Sequence, residues 1–281
     1  MGVLRLKQSS QQPLRVGGVP EHFNLPWHLA IESSQASRCG QAIAWADYPA
    51  GTGPMLADLA AGSLDLAVVL TEGAARGLAR DLPVAAVSLY TTSPLIWGVH
   101  VPPASRFERI ADLRGARFAI SREGSGSHLM SLALAAEQGW PAAELEYEIV
   151  NDLAGAIAAF GRGRADAFLW EHFTTEPAVA AGHFRRVDDF VGPWPAWTIC
   201  ANVTAWRRHR NAIESLISIV ALSAEHLVAA PDRITTIAAR YALEPQAVER
   251  WLARTRWVNE LTSPESALAA AEGMLRKADA I

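Results

Sequence analysis

One short pattern occurs twice in this chain and constrains the fold more than any other feature. Residues 59–70 read LAAGSLDLAVVL, and residues 160–171 read FGRGRADAFLWE. In each copy a helical pattern ends at a glycine, and an apolar run of strand length follows almost at once. The shared Gly-x-x-Asp begins at Gly62 in the first copy and at Gly163 in the second. This repetition predicts two similar lobes.

Strand patterns and helical patterns alternate around both copies of this unit. LRVGGV (14–19) and ARFAIS (116–121) read as strands, and each is followed by a helical pattern. Such alternation predicts an α/β fold with mostly parallel strands. From about Thr204 onwards the apolar residues keep to one helical face, so we expect a helical tail that packs on a lobe.

Length and composition limit the class of protein further. The 281 residues suit two lobes that each bury a core, and 25 basic against 29 acidic side chains indicate no nucleic-acid partner. Gly, Pro or charged residues interrupt the apolar stretches, so no membrane-spanning segment is expected. Cys39 and Cys200 are expected to be buried thiols, and no spacing suits a metal site or a cofactor motif.

The N-terminal segment bears on the compartment in which the protein works. MGVLRLKQSSQQPLRVGG contains basic residues but neither an apolar core segment nor a small-residue cleavage site. It therefore does not resemble a secretory signal, and we expect a cytoplasmic protein. The alternative is a periplasmic protein from which a leader has been removed.

Five segments of the chain are informative when they are taken together: LRVGGVPEHFNLPWHLA, SLDLAVV, SPLIWGVHV, DLRGARFAISREGSGSHLM and RADAFLWEHF. They resemble the type 2 periplasmic binding proteins, in the branch that binds nitrate, sulfonates such as taurine, and thiamine-pyrimidine precursors. The resemblance implies two α/β lobes joined by two crossing strands. Lobe one would comprise residues 1–94 and 200–281, with the helical tail packed on it, and lobe two would comprise residues 95–199.

The segment REGSGSHLM stands between a predicted strand and a predicted helix. Its backbone N–H groups would point out of the helix N-terminus, where anions bind, and Ser125, Gly126 and Ser127 are the candidate contacts. The alternative is a capped helix without a ligand, because serine is a preferred N-cap. A dinucleotide fingerprint is excluded because Leu129 stands where the third glycine belongs.

The other candidate ligand-binding residues lie in loops after predicted strands or near the predicted crossings. Open α/β sheets bind ligands at the carboxyl ends of their strands. For each candidate, ordinary packing or a solvated loop is the alternative. These candidates are Glu21, His22, Phe23, Thr52, Gly53, Glu72, Ser93, Trp170, Glu171, His172 and Trp194.

The resemblance implies a solute-binding protein that closes its lobes on a small organic ligand. The expected ligand is anionic or zwitterionic, sulfonate-like or a flat heterocycle, and an ABC permease is a possible partner. Two alternatives remain: a cytoplasmic enzyme of menaquinone-precursor or thiamine-pyrimidine chemistry on the same fold, or a cytoplasmic ligand sensor. No catalytic residues are predicted, because no Ser–His–Asp or Cys–His set can be assembled from the sequence order. A pair of carboxylates across the cleft stays open as an alternative.

Overall fold

The computed structural model describes residues 12–34, 42–278 and 280–281, and Cys39 lies outside these ranges. The first of its two five-stranded sheets forms lobe one, with the strand order β2-β1-β3-β10-β4. Strands β1, β2 and β3 are parallel, and β10 runs antiparallel to both of its neighbours. The strands are β1 (Leu14–Gly18), β2 (Ile43–Asp47), β3 (Leu66–Leu70), β4 (Val84–Leu89) and β10 (Trp197–Asn202).

The second sheet forms lobe two, with the order β7-β6-β8-β5-β9. Strand β6 is parallel to β7 and β8, whereas β5 is antiparallel to β8 and β9. The sheet contains both parallel and antiparallel strands because β5 and β9 belong to the segments that cross between the lobes. The strands are β5 (Pro94–Val101), β6 (Arg117–Ile120), β7 (Glu146–Ile149), β8 (Ala167–Glu171) and β9 (Arg185–Pro195).

The chain passes between the two sheets at two places. It leaves lobe one after Leu89 and enters lobe two at Pro94, then returns between Pro195 and Trp197. The predicted boundary at residues 199 and 200 falls inside β10. That strand pairs along its length with β3 and β4, so its first residues belong to the lobe-one sheet.

Ten helices in the described ranges cover the sheets and form the tail. Three 3-10 turns accompany them, at His22–Asn24, Ile110–Leu113 and Ala142–Glu144. The helices of lobe one are α1 (Leu25–Glu32), α2 (Thr52–Ala61) and α3 (Thr71–Ala79), and those of lobe two are α4 (Gly126–Glu137), α5 (Leu153–Gly161) and α6 (His172–Ala180). The tail consists of α7 (Val203–Ala229), α8 (Arg233–Tyr241), α9 (Pro245–Arg254) and α10 (Glu265–Lys277).

The repeated Gly-x-x-Asp has the same structural role in both lobes. Gly62 and Gly163 have φ values of 74° and 64°, the left-handed conformation that lets the chain turn from helix to strand. Asp65 accepts a hydrogen bond from the backbone N–H of Arg15 in β1, at 2.8 Å. Asp166 accepts the equivalent bond from Arg117 in β6, at 3.0 Å. The aspartate therefore ties the turn to the neighbouring strand in each lobe.

The helical tail packs on lobe one and also reaches lobe two. Helix α7 is long and apolar enough to span a membrane by length and composition, yet its apolar face is buried against α1, β4 and β10. Helix α10 lies on α3 of lobe one and contacts α4 and β9 of lobe two. Helix α9 contacts α6, where Arg250 pairs with Glu176 at 2.8 Å.

Candidate functional site

A cavity of about 80 Å³ lies between the lobes, at the carboxyl ends of the parallel strands. Small-molecule pockets usually enclose about 300–1,000 Å³, so the lobes stand close together here and a larger ligand requires them to move apart. The lining residues are Val19, Glu21, Pro49, Ala50, Gly51, Thr52, Leu70, Leu95, Trp97, Ser121, Arg122, Ser125, Gly126, Ser127, Asn151, Trp170, Glu171 and Trp197.

Half of the residues nominated from the sequence meet in this cavity. Lobe one contributes two of them and lobe two contributes five. Gly53 lies just outside the lining, where a Cβ atom would come within 2.9 Å of the Arg122 guanidinium. The seven that line the cavity are Glu21, Thr52, Ser125, Gly126, Ser127, Trp170 and Glu171.

The two serines before α4 use their hydroxyl groups to hold the turn. Ser125 is the N-cap, and its Oγ accepts from the His128 N–H and donates to the Arg122 carbonyl at 2.7 Å. Ser127 Oγ accepts from the Ser121 N–H at 3.0 Å and contacts the Ser125 hydroxyl. The side-chain geometry is therefore that of a helix cap.

The backbone of the same turn offers donors to a ligand. The N–H groups of Gly126 and Ser127 belong to the first turn of α4, and neither donates to another residue in the described ranges. Both residues line the cavity. Because the helix dipole makes this end positive, the turn is suited to bind an anionic or strongly accepting group.

Glycine is required in this turn because side chains of both lobes approach it closely. A Cβ atom on Gly126 would lie 2.6 Å from Leu70 Cδ1 and 2.7 Å from the Trp97 ring. Gly124 has a φ of 70°, and a Cβ atom there would overlap the Arg76 guanidinium. Arg122 donates from Nη1 to the carbonyl of Ala50 in lobe one. The Gly/Ser turn is therefore an interlobe contact as well as a helix start.

Two carboxyl groups line the cavity from opposite lobes. The Glu21 side chain is partly open to the cavity, but its carboxyl is shielded from bulk water, and this desolvation together with the charge of Glu171 raises the pKa of Glu21 to about 8. Burial also raises the pKa of Glu171, although its carboxylate accepts from the Thr174 N–H at 2.6 Å.

Three indole rings complete the lining. Trp97 and Trp197 are almost fully buried, and Trp170 is partly exposed. The Nε1–H of Trp197 is buried and has no hydrogen-bond partner in the part of the chain that is described. A buried donor without a partner is uncommon, so an acceptor on a ligand would satisfy it.

Sequence reasoning did not select Trp97 and Arg122 as ligand contacts. Arg122 opens the Gly/Ser segment, and its place directly after a strand was a usable signal. Trp97 lies on a crossing strand, where alternation alone does not say which side chains face the cleft.

His22 and Phe23 lie in the core of lobe one and not in the cavity. Both rings pack against Trp251 of α9, with the His22 and Trp251 ring centroids 4.3 Å apart. Burial lowers the pKa of His22 to about 3, so the ring is neutral. The tail helix that covers these rings comes from the far end of the chain, and this placement differs from the one expected.

Four further nominated residues also lie away from the cavity lining. Glu72 is buried and its Oε2 accepts from Trp194 Nε1 at 2.9 Å, whereas its Oε1 has no hydrogen-bond partner among the described residues. Ser93 Oγ accepts from the Arg256 N–H at 3.0 Å, which joins a crossing to the tail. His172 contacts Asp189 at 2.7 Å in a charged network beside α6.

The described residues contain no group of three or more His, Cys, Asp or Glu side chains arranged to hold a metal ion. Cys200 is buried with a free thiol, and burial raises its pKa to about 12. A thiol in that state is a poor nucleophile at neutral pH.

The chain resembles known proteins over nearly its whole length. Residues 101–190 match the family model described as Ca3427-like PBP, a periplasmic-binding-protein model. The Candida albicans CA3427 gene product, described as having the generic periplasmic binding protein fold, superposes with a TM-score of 0.88 at 21% identity, covering 96% of this chain and 91% of that one. A comparison with curated proteins found no match.

Two sulfonate-binding proteins share the same architecture. The periplasmic aliphatic sulphonate binding protein SsuA from Escherichia coli has a TM-score of 0.75 at 18% identity, with 97% and 89% coverage of the two chains. The alkanesulfonate-binding protein SsuA from Xanthomonas axonopodis pv. citri, bound to MOPS, has a TM-score of 0.77 at 21% identity, with 96% and 94% coverage. The chain therefore has the fold of the type 2 periplasmic binding proteins.

Proposed function

We propose that this protein binds a small organic solute in the cleft between its two lobes and closes around it. The observation that carries the proposal is the cavity itself, to which both lobes contribute polar groups and indole rings. Unused N–H donors at the start of α4 and the unpartnered Trp197 Nε1–H suit the acceptor end of a ligand.

The proposed ligand is an anionic or zwitterionic organic molecule, sulfonate-like or a flat heterocycle. Arg122 and the α4 N-terminus support an acidic group at one end of the cavity. The indole rings of Trp97, Trp170 and Trp197 support a flat or aliphatic body, since indoles form large apolar walls. The names of the two sulfonate-binding relatives agree with such a ligand.

An ABC permease is the partner that the sequence resemblance implies, and import of the solute is the role we propose. Import through a permease needs the protein outside the cytoplasm, so it goes with the periplasmic alternative. The cytoplasmic location expected from the sequence goes instead with a ligand sensor or an enzyme. Fractionation of cells that produce the protein from its own gene, with antibody detection, tests that location. Recovery in the periplasmic fraction would show that the expectation is wrong.

A thermal-shift screen tests the proposed function. The screen covers sulfonates, carboxylates, phosphates and pyrimidines, and a true ligand at a hundred times its Kd stabilises the fold by about 2.7 kcal/mol. For a chain of this size the melting temperature then rises by about 2–4 °C per kcal/mol. The Gly126→Val variant, in which we expect the added side chain to disturb the cavity lining, serves as the control. A screen in which no compound shifts the wild-type protein would contradict the proposal.

A further inference from the structure

The cavity holds two acidic groups without an ion pair, although Arg186 and His172 lie close enough to Glu171 to act on it electrostatically. Neither Glu21 nor Glu171 forms an ion pair among the described residues. Arg122 is the one basic residue in the described lining, and its guanidinium donates across the cleft to the carbonyl of Ala50. The charge of Glu171 is close enough to Glu21 to raise the pKa of that carboxyl. The closed cleft therefore brings together two carboxyls that repel each other when ionised.

Building on the function proposed above, we propose that the ligand carries a cationic N–H group, an ammonium or amidinium, which binds between Glu21 and Glu171. Such a group donates to both carboxylates at once and removes the repulsion between them. The backbone of Thr174 already holds the Glu171 carboxylate at 2.6 Å, so that acceptor is fixed before the ligand arrives. Glu21 has no side-chain hydrogen bond to another described residue and is available from the opposite lobe.

The rest of the lining supports a ligand with two different ends. Indole faces attract cations, and Trp97, Trp170 and Trp197 surround the same space as the carboxyls. The N–H groups at the start of α4 belong to residues that line the same cavity, and they can donate to an acidic group on the ligand. A purely anionic ligand would satisfy these donors but would face two acidic groups. The lining thus narrows the ligand class to zwitterions.

A competing arrangement keeps both carboxyls protonated as hydrogen-bond donors to a neutral or anionic ligand. The two arrangements differ in the charge of the ligand group that they prefer. A matched pair of ligands, one with an N–H cation and one with a neutral group of the same size, therefore separates them.

The experiment is a calorimetric titration at about pH 8 with two matched pairs. The first pair is 2-aminoethanesulfonate and 2-hydroxyethanesulfonate, and the second is 4-amidinobenzoate and 4-carbamoylbenzoate. We expect the cationic member of a pair to bind about tenfold more tightly or better, the effect of one charge-assisted hydrogen bond. Glu21→Gln and Glu171→Gln should abolish this preference. Glu137→Gln, an exposed position on α4, should leave it intact.

The outcomes separate this inference from the proposed function. Equal or tighter binding of the neutral members overturns the inference and leaves solute binding in place. If the thermal-shift screen finds a tighter ligand than these four, a cationic N–H group on that ligand supports the inference and its absence overturns it. A protein that binds nothing in either experiment overturns the proposed function. Melting temperatures of both Gln variants show that they are folded.

Discussion

At the scale of single residues, the hydrogen bonds of Ser125 favour one of the two roles predicted for its side chain, a helix cap rather than a ligand contact. Its hydroxyl caps α4 and donates to Arg122, so it has little capacity left for a ligand. We expect Ser125→Ala to lower the free energy of unfolding by about 1 kcal/mol, the usual effect of losing an N-cap. Ligand affinity should hardly change. Denaturant unfolding and calorimetric titration of the same variant measure the two quantities, and lost affinity with full stability would show that the hydroxyl contacts the ligand.

Glu21 provides a test through pH. Its folded-state pKa of about 8 is above the ordinary value of 4.5, so the folded protein holds this proton more tightly than the unfolded chain does. The resulting stabilisation is complete below about pH 4.5 and is lost as the pH rises through about 8. Glu21→Gln is neutral in both states and should lose less stability than the wild type between about pH 5 and pH 9.

Thermal melts of wild type and Glu21→Gln at about pH 5 and about pH 9 measure this difference in the loss of stability. Glu171 faces Glu21 and shifts in the same direction, so both variants should flatten the pH dependence, whereas Glu137→Gln on the exposed face of α4 should not. Parallel loss of stability in wild type and Glu21→Gln would mean that the Glu21 carboxyl is already ionised in the folded protein.

The sequence predicts Glu21, His22 and Phe23 beside the cleft, and the structure places only Glu21 in the cavity lining. A loop that directly follows a parallel strand begins at the edge of the sheet, so the position of the loop can be predicted from the local sequence. Which side chain of the loop turns inward depends on α9, whose Trp251 packs on both rings from more than two hundred residues away. No local pattern encodes that contact.

At the scale of elements, the repeated unit was predictable because its causes are local. Left-handed glycines follow the ends of the helices, and Asp65 and Asp166 accept hydrogen bonds from the backbone N–H groups of Arg15 and Arg117 in the adjacent strands. The end of the second crossing was less predictable. An apolar run near residue 200 reads as a strand in either lobe, and pairing with β3 and β4 decides which.

Gly126 at the start of α4 allows a steric test of the contact between the lobes. Gly126→Val should hold the lobes apart, because its Cβ would lie 2.6 Å from Leu70 Cδ1 across the cleft. We expect weaker ligand binding and a larger radius of gyration in small-angle X-ray scattering. The reason is steric, so the helix itself should still form.

Gly273→Ala is the matched control. Gly273 lies in α10, and nothing lies within 4 Å of the position that its Cβ would occupy. The change should stabilise the protein by up to about 1 kcal/mol through helix propensity and leave the scattering curve unchanged. Unaltered ligand affinity in Gly126→Val would mean that the close approach of the turn to Leu70 is not needed for binding.

At the scale of the whole molecule, the two-lobed fold followed from the sequence, and the connections made by the tail did not. Helix α10 lies on α3 of lobe one and also touches α4 and β9 of lobe two. Helix α9 adds the ion pair between Arg250 and Glu176. Periodicity shows that a tail helix has an apolar face, but it does not say how many partners that face meets. Closure of the cleft therefore has to change the contacts between this tail and at least one of the two lobes.

The central claim is that this cavity between the lobes holds one small organic molecule, and native mass spectrometry of freshly purified protein tests it most directly. The account predicts that wild type and Gly273→Ala each carry a single bound compound that denaturing spectra of the same samples lack. Gly126→Val should carry less of the compound, because we expect it to bind more weakly. Bare wild-type protein, even after incubation with every compound of the screen, would contradict the presence of a solute site between the lobes.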